Sequence, residues 1–290
     1  MKVKHILIGS LLFLSGLFCQ AQDPVLFHIT YELTHIRDLS DKEKPFTDNM
    51  ILSVGKNSSR YISEKMYDLL QTRADSSISD NVPVTEKESG QRTVVSGSPL
   101  LILDNNNVVV DEQILKDFTT KKLSVWGAMG PKDYKTETNL PGIDWQIMNE
   151  HKTIGDYNCQ KASGRYGGRV YEVWFTQDLP LQDGPWKLSG LPGLILEARD
   201  SRNEVAFIFK KIQKPFDENE TTASFFKNED QIFIDTKLKN YNRNKKAFIT
   251  DPESVWSAAF PDAKLGIINQ DHKRTTQSTR IKKYNPLEIK

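Results

Sequence analysis

The 290-residue chain sets 39 Lys and Arg against 38 Asp and Glu, a formal net charge of +1, and such near-neutrality gives no electrostatic basis for binding nucleic acid or an anionic membrane surface. The length suffices for one large or two small domains with a core that needs no covalent staples. Of the two cysteines, Cys19 falls in a leader segment, so the mature chain holds Cys159 alone and no internal disulfide.

The first residues, "MKVKHILIGSLLFLSGLFCQAQD", put Lys2 and Lys4 ahead of an apolar run from Ile6 to Phe18. A basic start, an apolar centre and a small residue at the cleavage position predict a secretory signal peptide over 1–21, cut after Ala21. The run is shorter than the roughly 20 apolar residues of a transmembrane helix. Acylation at Cys19 is the rival reading; Phe18 opposes it, because a lipoprotein site carries a small residue before the cysteine. The expected location is the periplasm or the outer membrane, or beyond the cell, with no transmembrane segment in the mature chain.

From Val25, Phe27, Ile29, Tyr31 and Leu33 alternate with His28, Thr30, Glu32 and Thr34, and this period of two predicts a strand with one dry face. "MILSVGKNSSRYIS" reads as a hairpin turning at Gly55–Ser58. Ile62, Met66, Leu69 and Leu70 then form the apolar stripe of a helix that ends near Arg73 or Ala74. The polar stretch "ADSSISDNVPVTEKESGQ" is a candidate loop. "PLLILDNNNVVVDE" holds a turn between two apolar runs, and "KKLSVW" is a further short run. Gly167-Gly168 separates two strand-like segments, as Ser201–Asn203 does after "LILEARD", and both are hairpin signals. Near the end, Asp251 is placed to cap a helix with Pro252 in its first turn and Pro261 stopping it after Phe260. The segment before it suits a helix, although Ile232 and Ile234 also suit a strand. Residues 269–290 read as a polar, solvated tail.

Little of this looks like chemistry. The mature histidines, His28, His35, His151 and His272, form no zinc pattern, and a lone cysteine adds none, so no metal is expected. His28 and His35 are seven residues apart on one strand and so point to opposite faces. Cys159 as a nucleophile needs a nearby base, and "GDYNCQKASG" carries no cysteine-protease signature; Lys161, two residues on, is the neighbour able to lower its pKa. The glycine-rich stretch "DGPWKLSGLPGLILEARD" spells neither a phosphate loop nor a dinucleotide fingerprint, and it runs into a strand where both motifs open a helix. Leu191-Pro192-Gly193-Leu194 instead suits a type II turn with a positive φ at Gly193. Asp183-Gly184-Pro185-Trp186 suits an earlier bend. Together they deliver Leu194 and Leu196 onto one face of a strand.

"GLPGLI", Gly190 to Ile195, is the signature for which the GLPGLI family is named, and this sequence resembles that family. "GDYNCQKA", "GGRVYEVWFT", "DLPLQDGPWKLSGLPGLILEARD" and the ending "YNPLE" follow in the family's order. The clear likeness runs from about Trp145 to Ile212. It implies an exported protein of a Gram-negative bacterium, with no catalytic residues and no cofactor to carry over. It gives weight to Cys159, Trp174, Gly184, Pro185 and the hexapeptide Gly190, Leu191, Pro192, Gly193, Leu194, Ile195 as shared features.

Consecutive hairpins predict a mainly β (α+β) fold: an antiparallel, strongly curved sheet or half-open barrel with a few helices at its edge or mouth, in one domain over 22–268. By analogy this resembles periplasmic lipoprotein carriers such as LolA. The first functional expectation is non-enzymatic binding of a hydrophobic small molecule, lipid or peptide, with Tyr171, Trp174, Phe175, Phe207 and Phe209 beside Trp186 as the lining. The alternatives are an interaction module that assists an envelope protein partner through sheet edges or the basic tail, and a hydrolase using Cys159.

Overall fold

The computed structural model describes residues 23–68, 103–104, 107–108, 112–215, 217–223, 232–259, 267–268, 274–275 and 281–289. The expected signal peptide, the polar loop after residue 74, the C-terminal part of the first helix and the stop at Pro261 lie outside them.

In chain order the strands are β1 (Phe27–His35), β2 (Phe46–Val54), β3 (Ser58–Ser63), β4 (Leu103–Asp104), β5 (Asn107–Val108), β6 (Glu112–Asp117), β7 (Lys122–Met129) and β8 (Lys132–Asn139). They continue as β9 (Gln146–Ile154), β10 (Tyr157–Tyr166), β11 (Arg169–Thr176), β12 (Leu194–Asp200), β13 (Val205–Gln213), β14 (Phe233–Asp235), β15 (Ile267–Ile268) and β16 (Arg274–Thr275). Twelve of them form one sheet in the order β14-β8-β7-β6-β3-β2-β1-β13-β12-β11-β10-β9, antiparallel throughout except where β14 joins β8. The expected mainly β architecture is therefore present as a single open sheet. β4 with β5, and β15 with β16, make separate two-stranded pairs.

The connectivity bends this sheet. The chain walks outward from β1 to β8, then reappears at the opposite edge as β9 and walks back until β13 pairs with β1. β8 and β9 lie ten strand spacings apart, about 48 Å along a flat sheet. The link 140–145 between them reaches only about 25 Å when fully extended. The sheet must curl until its two edges fall within that reach.

Local chemistry sets the hairpins where the residues predicted them. Gly167 and Gly168 both have positive φ, +56° and +76°, as a two-residue turn between β10 and β11 requires. Gly168 has a second reason to be glycine, since a Cβ there would lie 1.8 Å from the Ile289 carbonyl oxygen. Leu103–Asp104 pairs with Asn107–Val108, and β12 turns into β13 through 201–204. In β1, Ile29, Tyr31 and Leu33 enter the main core. The other face of β1–β3 is also covered: residues 64–68 are helical, and Met66 and Tyr67 pack there with Ile51 and Ile62 in a second, smaller cluster.

The segment before the last helix resolves into both expected alternatives, the strand β14 and then a helix, Leu238–Thr250, that buries Tyr241, Phe248 and Ile249. Asp251 accepts from the Ser254 N–H at the start of the following helix, Pro252–Ala259. The expected solvated tail differs at its end, where residues 281–289 form a strap across one mouth of the curled sheet. Asp38 accepts the Lys282 and Lys283 N–H groups. Arg169 donates to the carbonyls of Pro286 and Leu287 and to the Asn285 side chain, and Asn285 is buried. Composition alone missed this because the anchors lie more than a hundred residues upstream.

Candidate functional site

The glycine-rich stretch fills the inside of the curl. Trp186, Leu188, Leu191, Leu194, Ile195 and Leu196 are all buried and belong to the same core as Ile29, Tyr31, Leu52 and Phe207. Lys116 from β6 reaches across to it, bonding Asp183 and donating to the Gly184 carbonyl at 2.7 Å, and Tyr31 donates to the Ile195 carbonyl at 2.7 Å. Burial pushes the Lys116 ammonium down, and Asp183 opposes this. The stretch is a plug pinned at several points.

Its geometry differs from the expected double turn. Gly193 does not have positive φ; a Cβ there would lie 2.0 Å from the Thr176 carbonyl oxygen, so glycine is required by close backbone approach. The positive φ falls on Gly190, at +96°, and on Trp186, at +55°. The first bend is also two residues later than expected, spanning Pro185–Leu188 and closed by the Leu188 N–H donating to the Pro185 carbonyl. Gly184 faces Ile195, whose Cβ would be 2.8 Å from an added methyl. A bulky residue in the left-handed region is strained, and such strain persists only where surrounding packing enforces it. Leu194 and Leu196 are buried as expected, and so is Ile195 between them.

The remaining singled-out residues divide. Cys159 is 0% exposed, and burial pushes its thiol up to about 11, with Lys152 the cation that opposes the shift. Lys161, expected to lower it, closes instead on Glu150 and Glu172, each at 3.3 Å. A buried, protonated thiol is a poor nucleophile, which removes the basis for a Cys159 hydrolase. Trp174 is half-buried beneath two lysines, with Lys152 Nζ 4.6 Å and Lys161 Nζ 6.0 Å from its ring centroid. Tyr171, Phe175 and Phe207 are core residues.

Two buried polar networks had no signal in the sequence. On the outer side of β1–β3, Ser53 Oγ meets His28 Nδ1 at 3.0 Å, and His28 Nε2 meets Glu220 at 3.0 Å. Arg60 and Tyr67 also donate to Glu220, at 2.7 and 2.9 Å. The order of serine, histidine and carboxylate is that of a hydrolytic triad. Ser53, however, is fully buried and also accepts from Arg60 at 3.3 Å, so the cluster is a closed structural network. The second joins Arg169 to Asp200 at 2.5 Å and Glu204 at 3.0 Å and holds the strap. His28 and His35 do face opposite sides of β1, one in the first network and the other inside the curl.

At the mouth, between the plug, the strap and the helix Leu238–Thr250, packing is incomplete. A cavity of about 70 Å³ is lined by Arg37, His35, Asp48, Tyr61, Glu112 and Lys245, with Trp186 of the plug and Tyr284 of the strap at its wall. Lys245 donates to Glu112 at 2.6 Å and Tyr241 to the same carboxylate at 3.1 Å, and Ser63 donates to Asp48 at 2.8 Å. Burial raises the Glu112 pKa, but Lys245 and the other donors outweigh it and hold the carboxyl below its usual range. Arg37 lies 3.3 Å over the Phe46 ring and is pushed down to about 10 by burial. His35 donates from Nε2 to the Asn285 carbonyl at 2.8 Å, and burial, aided by Arg37 and Arg169, pushes its pKa well down, so it is neutral. Tyr61 is 2% exposed and its hydroxyl has no hydrogen-bond partner among the described residues. Among the described residues no group of three or more His, Cys, Asp or Glu is placed to hold a metal ion, and no helix is long and apolar enough to cross a membrane.

Residues 134–237 match the family model described as the N-terminal domain of N-glycanase peptide. No curated protein matches the chain. Two solved structures of PNGF-II, in C2 and P21 space groups, are each 16% identical to it with TM-scores of 0.49, covering 76% of this chain. The chain spans about a third of the length of those structures, 32% and 33%.

Proposed function

We propose that this chain is an exported, non-enzymatic binding protein of the GLPGLI type, a half-open barrel of the kind seen in periplasmic lipoprotein carriers, whose mouth cavity holds a small polar group. The observation that carries this reading is the cavity itself. A pocket for a drug-sized ligand occupies about 300–1,000 Å³, whereas about 70 Å³ is left here because Trp186, Leu188 and Leu191 already occupy the inside of the curl. A lipid tail has no room in this cavity. Charged and hydroxyl side chains converge on the space that remains, among Leu33, Met50, Ile114 and Phe207, so a small guest that joins a polar group to a methyl-sized apolar part fits it.

Support for partner docking through sheet edges is weak. β14 is three residues long. β9 is interrupted: between the pairs Gln160↔His151 and Ala162↔Ile147 it advances four residues against two, and Gln160 donates to the Met148 carbonyl at 2.7 Å. Short and bulged edges discourage strand addition. The N-glycanase description of the matched family gives a direction for a search for larger molecules that carry the polar group.

The reading is tested on purified mature protein with a fluorescent fatty acid and a library of small polar fragments, followed by protein-detected NMR. Fragments should shift the amides around Tyr61 and Glu112 while the fatty acid stays free. Stoichiometric uptake of the fatty acid would overturn it.

A further inference from the structure

Resting on that reading, we infer that the mouth cavity selects an uncharged group carrying both a hydrogen-bond donor and an acceptor, a primary amide or a hydroxyl, against ions of the same size. The first ground is charge balance. Arg37 and Lys245 face Asp48 and Glu112 around one small space, so the formal charges of the lining cancel. Lys245 closes on Glu112, Ser63 donates to Asp48, and Arg37 lies on the Phe46 ring. His35 adds no charge: burial, with Arg37 and Arg169 nearby, holds it neutral, and its Nε2–H is committed to the Asn285 carbonyl. An entering anion or cation finds no unbalanced counter-charge and loses its hydration in a buried site, which is strongly unfavourable. A neutral group does not carry that penalty.

The second ground is Tyr61. Its hydroxyl is a donor and an acceptor, it lines the cavity, and it is buried without a partner among the described residues. A buried hydroxyl left unpaired is costly, and native proteins satisfy nearly all such groups. The missing partner must both accept from and donate to its surroundings, with Asp48 and Glu112 close by as acceptors. A primary amide or a hydroxyl does both; a carboxylate cannot donate, and an ammonium or amidinium cannot accept. The apolar part of the lining, from Leu33, Met50 and Ile114, leaves room for a methyl group beside it.

Acetamide, acetate and acetamidinium are nearly isosteric and differ in charge, which makes them the probes. Titrated separately into the unmodified protein at neutral pH, acetamide should shift the amides of β2, β3 and β6 with a Kd in the millimolar range, consistent with so few atoms. Acetate and acetamidinium should bind at least tenfold more weakly. Tyr61→Phe should weaken acetamide at least fivefold while leaving the unfolding midpoint unchanged or higher. Tighter binding of either ion overturns the selectivity while leaving a polar site in place, and silence from all three probes overturns the site itself. Because the three-probe comparison uses the unmodified protein, it stands whether or not the variant folds.

Discussion

The plug and the mouth cavity occupy the inside of the same curled sheet, and both are built from buried charge, but only one of them is full. In the plug, Lys116 meets Asp183 and the Gly184 carbonyl while leucines fill the surroundings. At the mouth, Lys245 meets Glu112 in a pair that is only partly buried, and about 70 Å³ stays open beside a tyrosine hydroxyl with no partner among the described residues. Buried ion pairs are thus no mark of function here. What separates the regions is whether the neighbouring side chains close the space.

Breaking the plug's pair should have the largest effect. Lys116→Met leaves Asp183 buried without its cation and should cost about 3–5 kcal/mol, read from urea unfolding. Adding Asp183→Asn should restore more than half of the loss. A cost below about 1 kcal/mol would mean that the pair does not pin the plug. Gly193→Ala comes next, because its methyl would sit 2.0 Å from the Thr176 carbonyl; overpacking of this kind costs about 1–3 kcal/mol. Gly142→Ala, with nothing within 4 Å of its Cβ, is the control and should be close to neutral.

The mouth offers a pH handle instead. His35 is held neutral in the folded state, so the unfolded chain binds the extra proton, and stability should fall as pH drops below about 6.5, by at most about 1.4 kcal/mol per pH unit. His35→Gln should flatten that limb of the curve. Below about 4.5 a second loss should follow, as Glu112 and Glu220, both held low in the folded state, take up protons. The smallest effect belongs to Tyr61→Phe, which removes an unpaired hydroxyl and should change stability by less than about 1 kcal/mol, with any gain in its favour. A loss of about 2 kcal/mol or more would show that the hydroxyl is satisfied after all and that the mouth is as complete as the plug.

The elements that were legible share one property: their signal is local. The alternation in β1, the two glycines of the β10–β11 turn and Asp251 before Pro252 act on neighbours a few residues away, and each appears where the residues indicate. Trp186, expected beside a ligand lining, lies in the core and also borders the mouth cavity. Arg37, Tyr61, Glu112 and Lys245 carried no signal, because nothing in the spacing of residues so far apart shows that they share a space. Cys159 and Trp174 drew notice as residue types, but burial and the overlying lysines give them structural roles.

By itself, the sequence determined the hairpins and the β-rich class, since turn geometry and strand periodicity are properties of short segments. The tertiary structure decided why Gly193 must be glycine, which lysine faces which carboxylate, and where space is left over. Those depend on a sheet whose curvature is forced by one short link between its far edges. Contacts between strands distant in the chain follow from that closure and have no counterpart in local sequence.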